Sequence, residues 1–317
     1  MYDLIIPIDF NDSYFFNNRP RWLLSLPNGK LMVEESIAPI VKNTSSIIIV
    51  CPAEHFNKSI KEINVVKSIK QNYCKNVKII KTSKKLSKIE SIVLAIKKGK
   101  ISNSFFVKNP YTKYKFNYKK NNILICDQDK KLLASDFGFY SGKDFLKGFN
   151  TLNTNIKSVD KFLSFLEGDN HMFKTEFIDI DENWSTLKNY REFQRKHATL
   201  FLDIDGTLLK NGSKFADGAW NTEPLLNNMK AIANLQKTHN IHIIITTSRP
   251  SSEKTYLKEI FNKHNIKVGS YLFDLPHCQR ILVNDFFESN PYPSASAINI
   301  ERNHDNLMAY LEGILLN

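Results

Sequence analysis

The chain has 317 residues, 42% of them hydrophobic, which leaves room for roughly two folded domains. No apolar run reaches the roughly 20 residues of a transmembrane helix, and the first residues lack a signal-peptide pattern, so we expect a cytoplasmic protein without a membrane span. Its four cysteines are widely spaced and form no Cys-x-x-Cys pair, which argues against a disulfide framework and a zinc site.

The net charge of +12 belongs entirely to the first part of the chain. Residues 196–317 contain 12 basic and 12 acidic residues, whereas residues 1–195 contain 32 basic and 20 acidic residues. Such an excess attracts nucleic acid, nucleotides, phosphorylated sugars or anionic lipids, but a general bias toward Lys and Asn would also produce it. The lysines are scattered along the sequence and accompany no basic-aromatic motif, so we do not expect nucleic acid as a partner.

Residues 1–195 alternate between strand-like and helix-like segments. Apolar runs predict strands at 3–8, 47–51, 77–80, 105–107 and 123–126, and a helix is expected at 30–41. This alternation predicts an α/β domain with a mainly parallel sheet.

Several segments of this domain resemble sugar nucleotidyltransferases. Residues 4–8 read Leu-Ile-Ile-Pro-Ile, residues 29–37 read Gly-Lys-Leu-Met-Val-Glu-Glu-Ser-Ile, and 138–140 and 184–190 add later landmarks. However, residues 9–16 lack the glycines of a loop that cradles phosphates, and Asn109 stands where the resemblance implies a metal-binding aspartate. The resemblance therefore implies a degenerate, GT-A-like domain that binds a sugar or nucleotide or contributes to assembly.

Residues 196–317 show a more regular alternation. Strands are expected at 199–203, 241–246, 271–273, 281–283 and 295–300, with helices after Pro224, from Pro250 to about 264, and at 303–315. This order predicts a parallel sheet covered by helices, whose ligand site lies beyond the carboxyl ends of the strands.

Polar side chains follow three of these strands. The first strand ends in Asp203 and Asp205, two crowded carboxylates that suit Mg²⁺, although an acidic turn would look the same. The second is followed by Thr247, Ser248 and Arg249, whose hydroxyls, amides and guanidinium suit a phosphoryl group. The strand expected at 281–283 is followed by Asp285, a candidate metal ligand, and Arg280 comes just before that strand.

These segments in this order resemble the haloacid dehalogenase (HAD) superfamily, in a form without a large cap domain. The resemblance implies that Asp203 attacks phosphorus and forms an aspartyl phosphate, and that Asp205 acts as general acid and base. It implies that Asp203, the backbone carbonyl of Asp205 and Asp285 hold Mg²⁺ and that Thr247 and Ser248 contact the phosphoryl oxygens. Arg280, or alternatively Lys267, would be the basic residue of the third motif. Arg249 would contact phosphate or pair with a carboxylate.

The sequence as a whole predicts two α/β domains, 1–195 and 196–317, with a HAD-type phosphatase at the C-terminal end. The expected substrate is a small phosphate monoester, such as a sugar or polyol phosphate of capsule or other surface-polysaccharide biosynthesis. A bifunctional nucleotidyltransferase–phosphatase and a phosphatase of nucleic-acid ends are the alternatives, and a homo-oligomer stays open.

Overall fold

The computed structural model describes residues 1–10, 19–56, 60–128, 132–152, 158–212, 220, 223–285 and 294–315. The glycine-free loop expected at 9–16 therefore lies mostly outside the described residues. The chain forms two compact units, Met1–Tyr190 and Arg191–Asn317, and each is of the mixed α/β class that the sequence predicts. None of the described helices combines the length and the apolar character that crossing a membrane requires.

The first unit is built around a large sheet. Its strands are β1 Tyr2–Pro7, β2 Thr44–Pro52, β3 Val77–Thr82, β4 Phe105–Val107, β5 Thr112–Lys113, β6 Ile123–Asp127, β7 Leu132–Phe139, β8 Lys174–Ile178 and β9 Glu182–Asn183. In the described part of the chain, seven of them form one sheet in the order β3-β2-β1-β4-β7-β6-β8, and β5 pairs with β9. Neighbours in the large sheet are parallel except where β7 runs antiparallel to β4 and β6.

Helices flank this sheet and bury its apolar faces. They are α1 Met32–Ile37, α2 Glu62–Asn72, α3 Lys88–Gly99, α4 Gly142–Thr151 and α5 Val159–Gly168, with single 3₁₀ turns at Arg21–Leu23, Val41–Asn43 and Ala53–His55. A further helix, α6 Leu187–Arg195, crosses the boundary between the two units at Tyr190. The helix expected at 30–41 ends at Ile37, because Pro39 has no amide hydrogen with which to continue the helical hydrogen bonds. The core between helices and sheet is aromatic, with Phe105, Phe145 and Phe162 in contact.

The second unit contains a parallel sheet of β10 His197–Asp203, β11 Asn240–Thr246 and β12 Ser270–Leu272, in that order. Its helices are α7 Leu226–Thr238, α8 Lys254–Lys263 and α9 Leu307–Leu315, with a 3₁₀ turn at Ser251–Glu253. The register pairs Asp203 with Thr246 and Thr246 with Leu272, so the three strands end at one level. Residues that follow these ends are thereby brought to one edge of the sheet.

Two of the strands expected in this unit are absent from the described residues. Residues 281–283 and 295–300 belong to no strand, and Ile281 and Val283 are 77% and 88% exposed. Three apolar residues in a row are compatible with a strand but predict it weakly, because a strand forms only where it pairs with a neighbouring strand.

Candidate active site

The acidic motif forms a tight turn at the end of β10. The amides of Thr207, Leu208 and Leu209 all point to the carbonyl of Ile204, at 3.2, 2.9 and 3.0 Å. Gly206 closes the turn with a φ of +88°, and its amide donates to Leu209 O at 2.7 Å. A side chain there would be strained, and its Cβ would approach Arg302 Cγ to 2.9 Å. The Gly of the motif is therefore required by the turn that presents Asp203 and Asp205.

Asp205 is held by Arg249 through a bidentate ion pair. Arg249 Nη2 donates to Asp205 Oδ1 at 2.7 Å, and Arg249 Nε lies 3.2 and 3.1 Å from the two carboxylate oxygens. The Arg249 side chain is fully buried and the Asp205 side chain is 16% exposed. The same guanidinium lies 3.9 Å from Glu253 and 5.2 Å from the centre of the Trp220 ring. Of the two roles that the sequence left open for Arg249, the structure has the pairing with a carboxylate.

The loop after β11 places Arg249 by backbone hydrogen bonds. The amide of Arg249 donates to the Thr247 hydroxyl at 3.1 Å, and the amide of Thr247 donates to Leu272 O at 3.0 Å. The carbonyl of Arg249 accepts from Asp274 at 2.9 Å. Thr247 is buried at the strand ends, and Ser248 is half-buried beside it.

Asp203 is paired with Arg280, whose Nη1 donates to Asp203 Oδ1 at 2.9 Å. Burial raises the pKa of the Asp203 carboxyl above its usual value, the hydrogen bond and charge of Arg280 counteract this, and the Asp205 charge adds to it. A nucleophilic carboxylate must be ionised, so Arg280 favours the reactive form. Lys267, the alternative basic residue, makes backbone hydrogen bonds with Gln236 instead.

The metal ligands implied by the resemblance are only partly brought together. Asp203 and Asp205 share one turn, whereas Asp285 lies in the exposed, non-strand stretch, where its carbonyl accepts a hydrogen bond from the Ser294 hydroxyl. Across the described ranges, no three His, Cys, Asp or Glu side chains are close enough to hold a metal ion. Because Arg280 pairs with Asp203 and Asp285 lies in the exposed stretch, the described residues form only part of the implied metal set, and the role of Mg²⁺ stays a prediction.

Asn228 stabilises the motif turn from behind, a role that the sequence did not reveal. Its side chain is fully buried, and Nδ2 donates to Thr207 O at 2.8 Å and His304 O at 2.9 Å. Its Oδ1 accepts from the amide of Leu307 at 2.7 Å. No sequence signal marks this residue, because its partners lie about twenty and eighty positions away.

In the first unit, the resemblance implies a metal-binding aspartate where Asn109 stands. Asn109 belongs to a closed network of buried hydrogen bonds. Fully buried Lys108 donates to Thr112 O and Oγ1 at 2.8 and 2.7 Å and lies 3.1 Å from Asp136 Oδ2. Asp136 also accepts from the Asn109 amide at 2.6 Å and the Tyr114 hydroxyl at 2.5 Å. Burial lowers the pKa of Lys108, whereas Asp136 opposes this change. An internal ammonium therefore neutralises the buried carboxylate at this end of β4.

Residues 199–290 match the family model described as the HAD domain in Swiss Army Knife RNA repair proteins. The predicted HAD resemblance is confirmed for this segment. A HAD domain implies an enzyme of the phosphatase kind, and the HAD superfamily typically uses Mg²⁺. No curated protein matches the chain.

Solved structures that resemble the chain include a nucleoside-diphosphate-sugar pyrophosphorylase from Vibrio cholerae RC9. It is 14% identical with a TM-score of 0.49, and the match covers 61% of this chain and 99% of that one. A 4-diphosphocytidyl-2C-methyl-D-erythritol synthase from Anaerococcus prevotii DSM 20548 is 11% identical with a TM-score of 0.39, over 59% and 91% of the two chains. The architecture of residues 1–195 rests on its own sheet order.

Proposed function

We propose that the second unit hydrolyses a phosphate monoester through a covalent intermediate on Asp203. The observation that carries this proposal is the turn at the end of β10, where two carboxylates are each matched with an arginine. Asp203 is the less tightly held, because a single hydrogen bond from a half-exposed guanidinium contacts it. It would attack phosphorus, form an oxygen–phosphorus bond and release the alcohol.

Asp205 serves this reaction as general acid and then as general base. It would protonate the leaving alkoxide and later remove a proton from the water that attacks the aspartyl phosphate. Its bidentate partner Arg249 contacts both carboxylate oxygens, so Asp205 would have to turn away from Arg249 to carry the proton that it transfers. Thr247 and Ser248 would donate hydrogen bonds to the phosphoryl oxygens, and Arg280 would neutralise the charge that accumulates there.

The Mg²⁺ requirement belongs to this proposal, with Asp203, the backbone carbonyl of Asp205 and Asp285 as the residues that would hold the ion. For Asp285 to join Asp203, the stretch 281–285 would have to leave its present exposed position. Phosphate release with and without a chelator tests the requirement, and restoration by added Mg²⁺ identifies the ion. Activity that survives the chelator would remove Asp285 from the site.

We favour the phosphorylated end of a polynucleotide as the substrate class. The family description of RNA repair proteins supports this choice. The sugar or polyol phosphate expected from the sequence is the second class, and it rests on the resemblance of residues 1–195 to sugar nucleotidyltransferases. A panel of oligonucleotides with 5′ or 3′ phosphates and of sugar phosphates, assayed for inorganic phosphate, separates the two classes.

The catalytic assignment is tested in the same assay with Asp203→Asn. We expect phosphate release to be lost, because an amide cannot form the aspartyl phosphate, while the circular dichroism spectrum is unchanged. Glu259→Gln is the matched control, since it makes the same carboxylate-to-amide change on the exposed face of α8. Near-normal turnover by Asp203→Asn would refute the nucleophile assignment.

A further inference from the structure

The lysines of residues 60–100 belong to the edge strand β3 and to the segments on either side of it in the sequence. This stretch contains 12 lysines and no arginine, and its acidic residues are Glu62 and Glu90. It therefore carries a net charge of +10, close to the +12 of the whole chain. All of these lysine side chains are exposed except that of Lys88, which is half-buried.

The stretch surrounds the sheet edge formed by β3, the outermost strand next to β2. On β3, Lys81 pairs with Glu62 at the start of α2 at 2.7 Å, and Lys78 Nζ donates to Lys98 O at the end of α3 at 2.6 Å. Strand residues three apart point to opposite faces, so α2 and the end of α3 flank opposite faces of the edge. We call this surface the lysine edge and define it by Lys67, Lys70, Lys78, Lys81, Lys85 and Lys97.

Protection of an edge strand explains only part of this charge. Lysines on an edge strand discourage pairing with another chain, which accounts for Lys78 and Lys81. This explanation does not apply to the exposed lysines of α2, of the loop after β3 and of the end of α3, because they do not lie on an edge strand. A general lysine bias does not account for them either, because residues 196–317 are neutral in net charge.

The shape of the lysine edge favours a flexible polyanion. Because its lysines lie on both faces of a sheet edge, a flat bilayer would reach only some of them, whereas a polynucleotide strand can follow the curve. On α2, an open hollow is lined by apolar Ile63 and Val66, basic Lys67 and Lys70, and polar Gln71. Ile63 is 72% exposed there, which suits contact with an unpaired base beside a phosphate.

We propose that the lysine edge binds the phosphodiester backbone of a single-stranded polynucleotide. This departs from the expectation drawn from the sequence, where the same lysines looked scattered. The binding does not depend on the phosphatase activity of the second unit. Because lysines contact phosphates and not bases or the 2′-hydroxyl, RNA and DNA of one sequence should bind with similar affinity.

The test is fluorescence anisotropy with a labelled RNA of about 20 nucleotides and its DNA counterpart, between about 0.05 and 0.2 M salt. The variant Lys70→Gln/Lys85→Gln/Lys97→Gln removes one exposed lysine from each of the three elements. Each lost phosphate contact lowers the salt slope by about 0.7, so the slope should weaken by about 2. At about 0.1 M salt this corresponds to an affinity loss on the order of a hundredfold.

The matched control is Lys143→Gln/Lys161→Gln/Lys174→Gln, which removes three exposed lysines from α4, α5 and β8 of the same unit. We expect its affinity to stay within about threefold of the wild type, because lysines far from the lysine edge act on the oligonucleotide only through an electrostatic field that salt screens. Equal losses in both triple variants would overturn the proposal, as would a wild-type protein that fails to bind either oligonucleotide. Binding only to vesicles of phosphatidylserine and phosphatidylcholine would also overturn it and identify a membrane surface instead.

The Asp203→Asn variant keeps the two proposals apart. It should bind the oligonucleotides as tightly as the wild type, because the lysine edge is unchanged. If the wild type binds them but releases no phosphate from any substrate, the binding surface stands and the proposed phosphatase function falls.

Discussion

The two carboxylates of the motif differ in how strongly their arginines hold them. Arg249 is buried and forks onto Asp205, whereas Arg280 is 45% exposed and gives Asp203 a single hydrogen bond. The more loosely held Asp203 is the better placed of the two to act as nucleophile, whereas Asp205 must leave Arg249 before it can transfer a proton. The aspartates could be predicted because they lie two positions apart in the sequence. The pairing of Arg249 with Asp205 could not, because it depends on the register of β10 and β11.

The pKa of Asp203 provides a test of the role of Arg280. Since Arg280 counteracts the rise in pKa that burial causes, Arg280→Gln should raise the pKa of Asp203 further. The acid limb of kcat/KM reports the free enzyme, so it should move to higher pH in this variant. Arg302→Gln is the control, because it changes an arginine of the same unit that does not bind either carboxylate. An acid limb that stays in place would show that Arg280 does not act on the nucleophile.

At the scale of elements, the turn after β10 depends on α7 and α9. Buried Asn228 of α7 bonds to Thr207 in the turn and to His304 and Leu307 at the start of α9. The strand and helices could be predicted from periodicity, but this connection could not. For residues 281–283 the prediction was wrong. Their apolar run indicated a strand, but they pair with no neighbouring strand among the described residues.

Replacing Asn228 measures what this connection contributes. Asn228→Ala leaves two carbonyls and one amide without their partner, so we expect a loss of about 3 kcal/mol in the free energy of unfolding. Asn234→Ala is the control, because Asn234 is exposed on the same helix and should change stability by less than about 0.5 kcal/mol. Urea titrations of both variants give the comparison. Equal stabilities would mean that Asn228 does not hold the turn.

At the scale of the whole molecule, the sequence predicted two α/β parts and an uneven charge but not how the charge is arranged. Lysines separated by many positions share one surface because α2, β3 and the end of α3 meet at one sheet edge.

Burial is also a property of the whole unit. His55 is buried and accepts a hydrogen bond from Trp22 Nε1 at 3.0 Å, and burial lowers the pKa of His55 from 6.5 to about 4.

This histidine makes the stability of the protein depend on pH. The folded state resists protonation of His55, so its contribution is present above pH 6.5 and is lost as the pH falls from 6.5 toward 4. His55→Asn retains an acceptor near the position of Nδ1 but does not titrate. Between about pH 7 and pH 5, the wild type should lose about 2 kcal/mol more unfolding free energy than this variant. Urea titrations followed by tryptophan fluorescence measure the difference, and identical pH dependence would contradict a buried neutral His55.

Capture of the covalent intermediate is the measurement that tests the phosphatase account most directly. In Asp205→Asn, the base that activates water is missing, so a substrate with a good leaving group, such as para-nitrophenyl phosphate, should phosphorylate the protein without turnover. Mass spectrometry of the acid-quenched protein should then find one phosphoryl group on Asp203. A phosphoryl group on another residue, or phosphate release by Asp203→Asn at the wild-type rate, would contradict the account.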